Sequence, residues 1–114
     1  MALSMPVANG RETPLATIDQ EIILDYDPKT YAVMVNTSQV NKGETICFRG
    51  ARGKVSVVLV SPFGDDLMKL EDSEPHTLTT GGLYHYRCYF TPYDGGKEIE
   101  GNTGGILDVQ PHRP

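Results

Sequence analysis

The sequence has no tryptophan, three phenylalanines, three histidines and two cysteines. Each scarcity removes a class of protein. Two cysteines, Cys47 and Cys88, are too few for a scaffold knit by disulfides, and they lack the Cys-x-x-Cys spacing of a zinc or thiol-redox motif. Positive charge is also scarce: ten Lys and Arg against fifteen Asp and Glu leave a formal charge of −5. That balance opposes attraction to nucleic acid or to an anionic membrane surface. Arg49, Arg52 and Lys54 are the one local basic cluster, and they read as a solvated hairpin turn. No apolar run approaches the ~20 residues of a membrane-spanning helix, so no membrane insertion is expected. Residues 1–6 lack the basic start and long apolar segment of a signal peptide, which leaves the compartment open.

Catalytic signatures are missing as well. The chain has no Gly-x-Ser-x-Gly elbow, phosphate-cradling Gly-Lys-Ser/Thr loop or His-Glu-x-x-His pair. Asp65-Asp66 and Glu71-Asp72 are adjacent acids on turns, where solvation accounts for them. The chain therefore reads as a non-enzyme.

Glycine and proline are plentiful, at 12 and 8 of 114 residues. They imply frequent turns, leave little room for helix and fit one β domain that buries ~65% of its unfolded surface. Residues 1–18 mix proline, glycine and polar residues without a period and read as a flexible arm. Residues 19–110 form the predicted β domain, and 111–114 a tail. Short β-rich runs come one after another: Gln20 to Tyr26, then Tyr31 to Val35 with Tyr31, Val33 and Val35 on one face. Thr45 to Arg49 comes next, with Ile46 and Phe48 on one face and Cys47 on the other. Val55 to Val60 is the longest apolar segment and reads as a central strand. Leu67 to Leu70 fits either a helical turn or a short strand, and His76 to Thr80 a modest strand. From Leu83 to Phe90 the alternation is strong. Tyr84, Tyr86, Cys88 and Phe90 face the core, while Leu83, His85, Arg87 and Tyr89 face outward. A long glycine-rich loop from Thr91 to Gly105 precedes a last strand, Gly105 to Val109.

Three of these segments carry a family resemblance. Val40-Asn41-Lys42-Gly43-Glu44-Thr45-Ile46-Cys47-Phe48, then Gly82-Leu83-Tyr84-His85-Tyr86-Arg87-Cys88, then Gly105-Ile106-Leu107-Asp108-Val109 occur in the order seen in the cupredoxins, over roughly residues 20–110. The resemblance implies an all-β, Greek-key β-sandwich. It also implies a blue-copper site of two histidines, a cysteine and a weak methionine ligand, and it raises export with a removed leader as a possibility. In this sequence only Cys88 matches a ligand position. The first histidine would lie at Gly53-Lys54-Val55-Ser56, and the second, with the methionine, in the loop after Cys88. That loop contains no histidine or methionine; Asn102 and Thr103 stand near the methionine position.

The expectation is a sandwich without a cofactor, acting as a binding or assembly module for a protein partner or small ligand. The alternative is a copper electron-transfer protein with a rearranged set of Cys88, His85 and His76. Alternation opposes that set by placing His85 and Cys88 on opposite faces. His112 falls in the tail. Tyr89, Tyr93, Asp94 and Lys97 border the glycine-rich loop and are the candidate partner contacts, since tyrosine joins apolar area to a polar tip. Cys88 reads as a small core residue with no cation beside it to activate the thiol. Cys47 and Cys88, on different faces, are expected not to pair.

Overall fold

The computed structural model describes residues 17–64, 67–93, 95–101 and 104–111. The strands are β1 (Gln20–Tyr26), β2 (Val33–Val35), β3 (Gln39–Asn41), β4 (Thr45–Gly50), β5 (Gly53–Val60), β6 (Leu67–Leu70), β7 (His76–Thr77), β8 (Gly82–Pro92), β9 (Ile99–Glu100) and β10 (Gly105–Gln110). They form two sheets. The larger has six strands in the order β3-β10-β8-β5-β6, with β9 added to β8, and the smaller has four in the order β2-β1-β4-β7. Two pairings are parallel, β10 with β3 and β1 with β4. The chain passes back and forth between the sheets, from β3 to β4, β4 to β5, β6 to β7 and β7 to β8, as in a Greek-key sandwich.

The period-two pattern explains the core. Ile22, Leu24 and Tyr26 of β1, with Ile46 and Phe48 of β4, face Val55, Val57 and Leu59 of β5. Tyr84, Tyr86, Cys88 and Phe90 of β8 and Leu107 and Val109 of β10 join them in one buried cluster, with Val40, Leu70 and Leu78. Every core-facing residue expected on β8 is under 8% exposed, and Leu83 on the other face is 51% exposed. Burying this many large side chains, at roughly 1.5–3 kcal/mol each, is the main drive to fold.

Two local expectations change, at Tyr31 and after Thr77, and two are made definite. Tyr31 does not belong to the strand with Val33 and Val35: its φ is +62°, and its N–H donates to the Asp27 carbonyl at 2.6 Å. The turn after Asp27 consumes it, and pairing starts at Val33. Leu67–Leu70 is a strand, because its register on β5 brings Leu70 opposite Val57 and into the core. Only His76 and Thr77 pair as a strand from the His76 to Thr80 run. Leu78 turns instead to the segment joining β3 and β4, donating to the Glu44 carbonyl and accepting from Gly43 N–H. Cys47 is on the face opposite Ile46 and Phe48, yet it is buried all the same. Most of the expected arm, the tail residues 112–114 and the acids Asp65 and Asp66 lie outside the described residues.

Candidate functional site

The pole of the sandwich where β8 ends is where the resemblance would put a metal. Its construction rests on turns. β8 does not stop at Cys88 but continues to Pro92, so Cys88 lies mid-strand, opposite Val57. The chain then turns, with Gly95 N–H donating to the Pro92 carbonyl at 3.2 Å, and returns as β9. Ile99 pairs with Phe90 and Glu100 with Tyr89. The Gly101 N–H then donates to the Cys88 carbonyl at 2.9 Å. The expected long loop is thus in part a β-hairpin, and Ile99 drives it by packing against the core.

Above Cys88 the pole is filled. Phe90 is fully buried, and its ring lies 4.8 Å from that of Tyr26. Arg52 stands over the Tyr26 ring at 5.9 Å and donates from Nε to Asp25 Oδ1 at 2.7 Å. The turn joining β4 to β5 closes the other side. Asp72 Oδ2 accepts from the N–H groups of both Gly50 and Val55, at 2.9 and 3.0 Å. In sequence Asp72 reads as a solvated turn acid, because no short motif marks a carboxylate that clips a turn twenty-two residues away. Gly53, in the segment where the resemblance would place the first histidine of a copper site, packs so closely on Thr91 that a Cβ would collide with the Thr91 carbonyl.

The candidate ligands stand apart. Cys88 points into the core, and burial pushes its thiol up to about 12. His85 is on the outward face of the same sheet, beside Val60 and Ile106. His76 is on β7 in the other sheet, and it lines a small cleft of about 220 Å³ with Leu59, Met68 and Tyr84. Burial lowers the affinity of His76 for its proton, opposed in part by Glu74. Among the described residues no group of three or more His, Cys, Asp or Glu side chains is placed to hold a metal ion. The residues present do not fit a blue-copper centre, which needs two imidazoles and a thiolate converging on one point. Cys47 and Cys88 are both free and buried.

Of the candidate partner contacts, Tyr93 is 69% exposed at the hairpin turn. Lys97 is exposed and Tyr89 half-buried on the outward face. Asp94 and His112 lie outside the described residues, as do Asn102 and Thr103.

No protein-family model matches the sequence, and no curated protein does. Among solved structures, auracyanin B matches over 86% of this chain and 94% of its own, with a TM-score of 0.53 and 15% identity. The chain has the cupredoxin fold. Two amicyanin variants solved with Cu(I) are also similar. One has a TM-score of 0.47 and 17% identity over 87% of each chain. The other has 0.46 and 18% identity over 89% of this chain and 95% of its own. In this fold Tyr84, Tyr86 and Cys88 are buried together on the core face of β8.

Proposed function

We propose that this chain is a copper-free, non-catalytic cupredoxin-like module that binds a partner or helps an assembly form. The observation that carries the reading is the position of Cys88, in mid-strand and sealed beneath Phe90 and Tyr26, with His85 on the other face of its sheet. A thiol in that place serves packing, and a ligand set drawn from Cys88, His85 and His76 would require β8 to turn inside out. The β8–β9 hairpin is the proposed contact surface. Its tip presents an exposed tyrosine and Lys97 on a rigid sandwich, where loops commonly carry recognition.

Titration with copper in both oxidation states tests this reading. The protein is expected to develop no strong visible sulfur-to-copper absorption and to match a Cys88→Ala variant throughout. An intense band that disappears in Cys88→Ser would instead establish the electron-transfer alternative. For the contact surface, a photo-crosslinking residue at Tyr93 is expected to capture partners more efficiently than one at Lys42, an exposed control at the opposite end of the sandwich.

A further inference from the structure

The outward face of the six-stranded sheet is apolar where water should meet it. Ile106 of β10 is opposite His85 of β8, His85 opposite Val60 of β5, and Val60 opposite Leu67 of β6. These four form a row with no lysine, arginine or carboxylate in it. Leu83 adjoins it on one side and Val58 on the other, one step along their strands. Leu67 is 75% exposed, Leu83 51% and Ile106 48%. A solvated antiparallel face ordinarily alternates polar residues outward, and a contiguous apolar patch marks a surface that something covers. The row forms much of an open groove of about 780 Å³ that also includes Arg87 and Gly104.

Among the described residues, charge flanks the row unequally. On the Leu83 side stands Asp108, directly opposite Leu83. On the Val58 side stand Arg87 and Lys69, both directly opposite Val58. Arg87 already holds Glu100 at 3.0 Å and Lys69 holds Glu71 at 3.7 Å, but all four side chains are more than half exposed and free to share a further partner.

We propose that this face associates with the same face of a second copy, about a two-fold axis lying along the Ile106-to-Leu67 row. Rotation about that row reverses strand direction and lays apolar row on apolar row. It carries Asp108 of one copy over Gly104 of the other, where no side chain opposes it, one strand away from Arg87. Acid thus meets cation twice, once on each side of the axis, as an isologous contact requires. This arrangement offsets the repulsion expected between two chains of net charge −5. Four strands at ~4.8 Å spacing and three outward rows at ~6.8 Å cover roughly 400 Å² of each copy. That is about half the area per partner of a standard interface, so the dimer is weak and depends on concentration.

Sedimentation equilibrium of the full chain from about 10 µM to about 1 mM tests the proposal in the range where so small an interface dissociates. The average mass is expected to climb toward twice the monomer. Ile106→Lys and Leu67→Lys are each expected to weaken association at least about tenfold by burying a charge at the contact. Leu67 is mostly exposed, so that variant folds even where the Ile106 change perturbs β10. Arg87→Asp is expected to weaken the dimer and Arg87→Asp with Asp108→Arg to restore it. A wild-type chain that stays monomeric at the top concentration overturns the proposal, as does a dimer that both lysine variants leave intact. Failure of the double reversal to restore association overturns the two-fold placement.

Discussion

Cys88 stands 1% exposed among Val57, Tyr86 and Phe90, and burial is the cause of its raised thiol pKa, with no nearby cation among the described residues. Burial alone moves the group from 9.0 to about 12, and Tyr86 moves from 10.0 to about 12 by burial first and then by the neighbouring Cys88. Both folded-state values lie above the unfolded ones. The unfolded chain therefore loses these protons first, and the stability they contribute is complete below pH 9 and lost as pH rises toward about 12. For Cys88 the total is roughly 4 kcal/mol at about 1.4 kcal/mol per unit. Denaturant unfolding between about pH 8 and about 11 is expected to weaken with a slope that Cys88→Ala makes shallower. An unchanged slope would mean that the thiol titrates as freely in the folded chain as in the unfolded one. Phe90→Ala is expected to cost about 3–5 kcal/mol in the same assay, because the cavity opens between Tyr26 and the pole. A cost below about 1 kcal/mol would show that the pole is loosely filled.

The alternation along β8 makes its two faces readable from sequence, since a period of two assigns every side chain once one is assigned. The same logic separates His85 from Cys88. It could not show that β8 runs past Phe90 to Pro92 and returns as β9, because the turn at Pro92 and Gly95 and the return of Ile99 depend on pairing between segments with little pattern of their own. Nor could it see close approaches made by glycine, among them those at Gly53 and Gly105. A Cβ on Gly53 would lie 2.8 Å from the Pro92 Cα and closer still to the Thr91 carbonyl oxygen, and one on Gly105 would overlap the Tyr86 ring. The first obstacle is backbone and the second a ring held in the core. Gly53→Ala and Gly105→Ala are each expected to destabilise by about 1–3 kcal/mol, measured by chemical denaturation. Gly43→Ala is the contrast: a Cβ there meets nothing within 4 Å but must adopt a φ of +92°. Its cost is expected to reflect backbone strain alone, about 1 kcal/mol. Equal costs at all three positions would contradict the packing argument.

The sandwich was legible because turn residues and alternating runs agree along the chain, and three cupredoxin-like segments occur in order. The closure of the pole was not, because it is made by contacts between elements far apart in sequence: Tyr26 with Phe90, Asp72 with Gly50, Gly53 with Thr91. A fold can therefore be legible in the sequence while the contacts that close its pole are not. That closure predicts how the thiols behave in the folded protein. In a Cys47→Ala background, Cys88 is the one remaining thiol, and its rate of reaction with a disulfide reagent at neutral pH measures access to the pole directly. The expected result is no labelling over the time in which the unfolded chain labels completely, with slow reaction appearing only as denaturant opens the fold. Rapid stoichiometric labelling of the native protein would contradict the closed pole and make Cys88 an available ligand again.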